Sequence, residues 1–388
     1  MAFTTVNISF ISQNRGVYSS DFHPKKLSSR ICPSEFSLQF NRRSWSTLVT
    51  GASFSEAKTG LSLSPSDVDV DADDGDGNPP SSIGWSEFAK RVSGEWDGFG
   101  AEFSNEGKAI ELPESVVPEA YREWEVKVFD WQTQCPTLAE PEQQHFIQCK
   151  SIQLLPTVGC EADAATRYSI DERKVGVEDG DGDGVRTSAL AFAYQSSGCY
   201  VAVWSKHEKL ELELEYCLIN PQDFESRVRI IQVVRTDEDN TKMVIESIRV
   251  FREQWYGPFR NGEQLGGCAI RDSAFASTPP MTASQLAGVW QGSKAVATFA
   301  TPSPNNGIFQ ELLQDKVQNS VRDGCNEILL PKHLWCSFKQ NKNNGENLSE
   351  VGWLLDSRHA ITSGCIFSST GKLKEISVAL ETKGPEDV

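Results

Sequence analysis

Arginine side chains interrupt two of the most apolar strand-like segments of the sequence. Arg227 and Arg229 precede the apolar run 230–234, while Arg249 and Arg252 flank a second apolar pair. A guanidinium binds a carboxylate through two parallel hydrogen bonds, so arginines that point into a barrel can hold the acid group of a pigment or fatty acid. Arginines on the outward face are instead solvated. The sequence leaves both alternatives open, because a register error of one residue reverses every strand face.

Two aromatic residues on neighbouring predicted strands are further candidates for contact with a ligand. Tyr194 and Trp204 can line a cavity, although rings at such spacings are also ordinary core residues. Together these side chains predict a site for one hydrophobic or amphipathic small molecule. The predicted ligand-binding residues are Arg227, Arg229, Arg249, Arg252, Tyr194 and Trp204.

The other possible chemical constellations lead to no catalytic or metal assignment. Residues 178–184 place Asp and Gly as at the start of an EF-hand loop, but position twelve is Leu190 and no helices flank the segment, which favours an acidic hairpin tip. His145 with Cys149, and His333 with Cys336, have no third ligand at a matching spacing. The sequence therefore predicts no catalytic residue and no metal ligand.

The elements that must position the arginines are mostly strands, because residues alternate with period two and helical periodicity is scarce. The clearest alternation is in residues 209–216, with leucines and a tyrosine on one face and three glutamates on the other. The predicted strands of the first module are 101–103, 125–131, 147–155, 189–194, 200–204, 209–216, 228–234 and 243–251. Those of the second module are 289–299, 327–330, 334–338, 351–355, 361–367 and 376–380.

A Gly-x-Trp-x-Gly pattern occurs twice, once before each run of strands. The two copies are built from Gly94, Trp96 and Gly98, and from Gly288, Trp290 and Gly292. Each copy follows a short stretch that is typical of one helical turn and continues into a strand. Lipocalin-type barrels begin in this way, with the Trp closing one end of the barrel and the glycines permitting close approach of the chain. The fold class predicted is all-β, with two tandem antiparallel lipocalin-like barrels after a disordered N-terminal leader.

These two motifs, the basic leader and the acidic linker together resemble a family of uncharacterised plant and cyanobacterial proteins of lipocalin-like (calycin) type. That family is similar in broad architecture to the cyanobacterial bilin lyases, barrels that carry an open-chain tetrapyrrole to a cysteine on an antenna protein. The resemblance implies a plastid barrel that holds a pigment or lipid, and it implies no reaction. It also implies that a cation stacks on each indole: Arg249 or Arg252 on Trp96, and Lys372 or Lys374 in the second module.

Composition suggests a subcellular location and a division of the chain into four segments. The first fifty residues contain six Lys or Arg, two acids and ten serines, a pattern typical of an organelle transit peptide and, without an Arg-rich amphipathic helix, of a chloroplast one. The predicted segments are a transit peptide over 1–50, an acidic disordered linker over 51–82, a first barrel over 85–270 and a smaller second barrel over 281–388. The Gly- and Pro-rich stretch 258–281 between the barrels is typical of a hinge.

The net charge of the chain limits the kinds of molecule that it is expected to bind. The whole chain carries −17 and the leader +4, so the remainder carries −21, which disfavours binding to nucleic acid. No stretch approaches the ~20 continuous apolar residues of a membrane helix, so we expect a chain that does not span the membrane. The expected location is the stroma. Ten scattered cysteines, without Cys-x-x-Cys, fit buried thiols in a reducing compartment.

The expected function is binding of a hydrophobic or amphipathic molecule, with a tetrapyrrole or a carotenoid as candidate cofactor, in the assembly of photosynthetic proteins. A ligand-free scaffold with fully packed barrels is one alternative. A lyase or isomerase that acts on the bound molecule is a second alternative, and it requires a titratable group inside the cavity.

Overall fold

The structure is a computed structural model that describes residues 83–142, 145–156, 167–176, 189–206, 211–236, 242–263, 274–299 and 307–384, apart from the side chains of residues 83, 315 and 316. The described residues all fall within one compact unit, Gly75–Val388. The predicted leader, the linker and the acidic segment 178–184 lie outside the described residues, so their assignments stay predictions. None of the helices in the described ranges has the length and hydropathy needed to cross a bilayer.

The described part of the chain contains many strands and a few short helices. The helices are α1 (Ile83–Val92), α2 (Glu119–Glu123) and α3 (Ala283–Leu286), with 3-10 turns at Glu114–Val116 and Phe275–Ser277. The strands before α3 are β1 (Glu95–Ser104), β2 (Asp130–Gln134), β3 (Thr137–Ala139), β4 (Ile147–Leu154), β5 (Arg167–Val175), β6 (Ala189–Tyr194), β7 (Tyr200–Lys206), β8 (Glu211–Asn220), β9 (Asp223–Thr236) and β10 (Met243–Gly257). Those after α3 are β11 (Gly288–Thr298), β12 (Phe309–Glu311), β13 (Leu313–Arg322), β14 (Ile328–Leu330), β15 (Leu334–Gln340), β16 (Asn347–Leu354), β17 (His359–Phe367) and β18 (Leu373–Lys383).

The strands form two sheets, which confirms the all-β prediction. The first has the order β12-β6-β7-β8-β9-β10-β1-β2-β4-β3, with β5 paired to β4, and the second has the order β13-β11-β18-β17-β16-β15-β14. Every pairing is antiparallel except that β12 adds in parallel to β6. A three-residue strand from the second half of the sequence therefore completes the first sheet.

One predicted strand is displaced and several strands are missed. The segment 125–131 is not a strand along its length: α2 ends just before it, Glu125 has a left-handed φ of 55°, and β2 starts only at Asp130. The polar strands β5 and β13 were not predicted, because their sequences lack apolar alternation. The other predicted strands overlap observed ones, although 101–103 and 243–251 are six residues short of β1 and β10 at one end.

Both sheets curl, so that residues of distant strands meet on one face. Six strand spacings separate β5 from β8, yet Arg173 Nη2 of β5 lies 2.7 Å from Glu213 Oε2 of β8. Four spacings separate β13 from β16, yet Arg322 Nη2 lies 2.9 Å from Glu350 Oε2. The face that carries these residues is therefore the concave face of a curved sheet in both cases, and the two sheets are called the first and the second barrel below.

The opposite faces of the two sheets pack against each other in one shared apolar core. Buried side chains from both sheets belong to it, among them Leu214 and Ile230 of the first and Val351 and Ile361 of the second. At its centre the Tyr216 hydroxyl lies 2.6 Å from Ser349 Oγ. The predicted hinge, residues 258–281, is described only over 258–263 and 274–281, and its residues Phe275 and Ala276 belong to the shared core.

Candidate functional site

The two Gly-x-Trp motifs have the same local structure. Trp96 Nε1 donates to the carbonyl oxygen of Val92 at 2.9 Å, and Trp290 Nε1 donates to that of Leu286 at 2.8 Å. Both indoles are fully buried, and each donates to the residue four positions earlier, at the end of a short helix. Each ring thus fastens a helix end beneath the first strand of its sheet.

The motif glycines are required by backbone conformation and by close approach. Gly94 and Gly288 have φ angles of 145° and 136°, a region that side chains rarely allow. A Cβ at Gly98 would lie 1.8 Å from the carbonyl oxygen of Arg252, and one at Gly292 would lie 2.4 Å from that of Leu380. The neighbouring strand backbone therefore excludes any larger residue at both positions.

A cation lies over each indole, but not the one that the resemblance implies. The guanidinium of Arg227, on β9, lies 4.2 Å from the centre of the Trp96 ring. In the second sheet Arg322 lies 5.9 Å and Lys383 Nζ 5.8 Å from the Trp290 ring. The expectation of Arg249 or Arg252, and of Lys372 or Lys374, is wrong. Arg249 and Arg252 lie on β10 beyond the indole, nearer the middle of β1 in the strand register.

An ion-pair network fills the middle of the first barrel, directly above Trp96. Arg227 Nε donates to Glu253 Oε2 at 2.6 Å, and Arg229 Nη2 donates to Glu253 Oε1 at 2.8 Å. Arg229 Nη1 also donates to Glu215 Oε1 at 3.0 Å. Burial raises the pKa of Glu215 and Glu253, but the adjacent guanidiniums outweigh burial and hold both pKa values below the usual range.

The network continues through β8 towards solvent. Glu213 contacts Arg173, Arg249 and Lys206. Burial raises the pKa of Glu213, but these cations, Arg249 first, lower it to about 2. Arg173 also lies 3.5 Å from Glu215. The interior of the first barrel is therefore charged and internally paired, and the glutamates that alternate along β8 point inward.

A cavity of about 290 Å³ lies at the outer end of this network. One wall is apolar: Leu112, Val116, Trp131, Ile231 and Phe251 form a small buried cluster around it. Three guanidiniums also line it, those of Arg173, Arg229 and Arg249, and that of Arg229 lies 4.6 Å from the centre of the Phe251 ring. The remaining lining is mostly polar: Glu102, Pro113, Cys149, Ser151, Gln153, Tyr168, Ser169 and Asp171.

The predicted ligand-binding residues separate into three groups in the structure. Arg229 and Arg249 line the cavity. Arg227, Tyr194 and Trp204 are buried and do not line it: Arg227 stacks on Trp96, Tyr194 packs 5.0 Å from Trp85, and Trp204 Nε1 donates to Glu215 Oε2 at 3.0 Å. Arg252 lies on the opposite face of β10 from Phe251 and Glu253 and does not line the cavity. Whether any of these residues binds a ligand stays a prediction.

Sequence reasoning missed the cavity residues that come from polar or irregular segments. Arg173 lies on the unpredicted strand β5, and Leu112 and Val116 lie in the irregular segment that follows β1. The sequence of β8 contained a signal for the charged interior. If the strand face that carries the alternating glutamates points inward, the glutamates require buried cations as partners. The arginines at alternate positions of β9 are those cations.

Thiols and imidazoles near the cavity show no arrangement for nucleophilic or metal chemistry. Burial raises the pKa of Cys149 well above its usual value, which keeps this cavity-lining thiol protonated at neutral pH. The His145 ring packs 4.5 Å from that of Trp85. Within the described ranges no three His, Cys, Asp or Glu side chains are grouped as for a metal ion.

Comparison with known proteins gives distant likenesses in fold. No family model and no curated protein matches the sequence. A DUF3598-family protein of unknown function from Nostoc punctiforme is similar at 13% identity, with a TM-score of 0.45, over 77% of this chain and 99% of that chain. Kievitone hydratase from Nectria haematococca has 8% identity and a TM-score of 0.17 over 80% of this chain and 95% of that chain. Outer membrane phospholipase A from Escherichia coli has 7% identity and a TM-score of 0.18 over 78% of this chain and 99% of that chain. At these values the likenesses assign no family and no activity.

Proposed function

We propose that the first barrel binds a small amphipathic carboxylate in its interior cavity. The observation that carries the proposal is that one cavity is lined both by apolar side chains around Trp131 and Phe251 and by three guanidiniums. An acid group would lie against the arginines and an apolar body against the aromatic rings. A lining that combines apolar side chains with convergent polar groups is typical of ligand sites.

Arg249 is the arginine best placed to meet the acid group of the ligand. Its side chain is 25% exposed, whereas that of Arg229 is 2% exposed and bonds two buried glutamates. A guanidinium has five N–H donors, so Arg249 can keep its contact with Glu213 while it binds a ligand carboxylate. Arg229 and Arg173 lie on the same cavity, each paired with buried glutamates.

The size of the cavity limits the ligand. Pockets for drug-sized molecules have volumes of roughly 300–1,000 Å³, and this cavity, at about 290 Å³, lies at the lower end. A medium-chain fatty acid or a one- or two-ring acid fits this volume better than a carotenoid or a complete tetrapyrrole. We therefore propose a lipid or pigment-precursor fragment rather than a mature pigment as the ligand.

The proposed location is the chloroplast stroma, and the support for it is the composition of the first fifty residues. A role in photosynthetic assembly belongs to the same proposal. Residues 1–50 fused to a fluorescent protein are expected to direct it into the stroma of leaf cells. Fluorescence that stays in the cytosol would contradict the proposed stromal location, but it would leave the proposed ligand binding untouched.

Binding of octanoate tests the ligand proposal. We expect saturable binding by calorimetry, together with a change in tryptophan fluorescence because Trp131 lines the cavity. Arg249→Gln is expected to weaken binding by roughly tenfold or more, since it removes a hydrogen bond to a charged group. Glu213 keeps Arg173 and Lys206 as partners in this variant, so the fold is expected to survive.

Arg252→Gln is the matched control, because Arg252 lies on the same strand but on the other face. It is expected to bind octanoate as the native protein does. Octanol, which has the same chain and no charge, is expected to bind more weakly than octanoate. Equal affinity for octanol and octanoate, or an Arg249→Gln variant with native affinity, would contradict the proposal.

A further inference from the structure

The two aromatic rings that line the first cavity lie on either side of a glycine. Gly100 of β1 pairs directly with Trp131 of β2 and with Phe251 of β10. Directly opposed residues of antiparallel strands place their side chains on the same face of the sheet. All three positions therefore face the interior of the first barrel. Glu102, two residues further along β1, lines the same cavity.

The missing side chain of Gly100 makes room for both rings. The centres of the Trp131 and Phe251 rings lie 6.2 Å apart at an interplanar angle of 78°, an edge-to-face contact across β1. A Cβ at Gly100 would lie 2.9 Å from Cδ1 and Cε1 of Phe251 and 2.9 Å from Cε2 of Trp131. The φ angle of Gly100 is one that other residues adopt, so the rings, and not the backbone conformation, disfavour a side chain there.

The Phe251 ring is also held by a buried cation. The guanidinium of Arg229 lies 4.6 Å from the centre of this ring, and Arg229 is itself bonded to Glu215 and Glu253. Phe251 is almost fully buried. The ring therefore has a fixed place in the lining, and the space left for a ligand depends on its size and on how closely it lies to β1.

We propose that Phe251 and Gly100 set the chain length of the acid that the first cavity accepts. This inference rests on the proposed function of the first barrel. The Phe251 ring occupies space beside the ligand chain, so its loss enlarges the cavity. A side chain at position 100 pushes the two rings away from β1 and into the cavity, so it has the opposite effect. Each CH₂ group that a ligand buries contributes about fourfold in affinity, and a change in cavity size therefore changes the preferred length.

The affinities of hexanoate and decanoate, measured by calorimetry on the native protein and on variants, test this proposal. Phe251→Ala is expected to raise the ratio of decanoate affinity to hexanoate affinity by about fourfold or more, because at least one further CH₂ group is buried. Gly100→Ala is expected to lower the same ratio by about as much. A general loss of stability would not move the ratio in opposite directions in the two variants.

Phe99→Ala is the matched control, because Phe99 also lies beside Gly100 but packs against the shared core and does not line the cavity. It is expected to keep the native ratio. The thermal midpoint of each variant shows whether it folds. Phe251→Leu, expected to raise the ratio by a smaller factor, gives a result if Phe251→Ala does not fold.

The proposal is overturned if a folded Phe251 variant keeps the native ratio, if Gly100→Ala raises the ratio, or if Phe99→Ala changes it as much as Phe251→Ala does. Those results would leave the proposed binding of an acid intact. A native protein that binds neither acid would overturn the proposed function of the first barrel and this inference together.

Discussion

Glu253→Gln is expected to lower the free energy of unfolding by about 3–5 kcal/mol, because it removes the shared anion of two buried arginines. Glu253 receives hydrogen bonds from both Arg227 and Arg229, and all three side chains are almost fully buried. Arg229 keeps Glu215, but Arg227 keeps only neutral acceptors, Thr137 Oγ1 and the carbonyl oxygen of Cys135, both at 3.3 Å. A buried guanidinium without an anion is the costly product of this substitution.

Urea unfolding of the native protein and the variant at neutral pH measures this loss. Glu246→Gln is the control on the same strand: Glu246 pairs with Arg235 at the surface, where ion pairs contribute about 0–1 kcal/mol. A Glu253→Gln variant that loses less than about 1 kcal/mol would show that the network is solvated rather than buried. The two arginines would then not form the rigid base that the cavity requires.

Asp97→Asn is expected to stabilise the protein at pH 8 and to remove a pH dependence between about pH 4 and pH 7. Burial raises the pKa of Asp97 to about 7; Gln134 lowers it, while Glu95 and Glu253 raise it further. The folded state therefore holds the Asp97 proton more tightly than the unfolded chain, whose Asp pKa is about 3.9.

The direction of the effect follows from this difference in proton affinity. With Asp97 present, the free energy of unfolding falls as pH rises from about 4 to about 7. Above about pH 7 the ionisation of Asp97 causes no further change. A shift of about three pKa units corresponds to about 4 kcal/mol, which is an upper limit for the gain from Asn at pH 8. At pH 4 the two proteins are expected to be nearly equally stable.

Urea unfolding at pH 5 and pH 8 checks this expectation. Asp223→Asn, an exposed aspartate on β9, is the control and is expected to change neither value by more than about 0.5 kcal/mol. If Asp97→Asn destabilises the protein at both pH values, Asp97 is ionised and bonded in the folded state, and the buried position of this carboxyl is wrong.

The repeated features of the fold could be predicted from the sequence because they are local. The Gly-x-Trp motifs predicted where each half begins, and the structure shows why, since only glycine fits at Gly98 and Gly292 beside the next strand. Apolar strands such as β6, β7 and β9 were found through alternation, which reports burial of one face. These signals need no knowledge of the partner strand.

Strand faces and polar strands could not be predicted for a physical reason. In β8 both faces are buried: Leu214 faces the second sheet, while Glu213 and Glu215 face the arginines of the barrel interior. The alternation of apolar and charged residues shows which residues share a strand face, but it does not show which face lines the cavity. Paired charges can be buried as completely as leucines. Strand β5 carries Arg173 to the cavity on a largely exposed strand, and exposed strands have no apolar pattern to detect.

A crystal structure of the protein grown with octanoate tests the central claim most directly. The account predicts density for the acid in the first barrel, with its carboxylate within about 3 Å of a guanidinium nitrogen of Arg249 and its chain against the apolar side chains of the lining, Trp131 and Phe251 among them. Density for ordered water alone in that cavity, or a Phe251 ring that fills the space, would contradict the account.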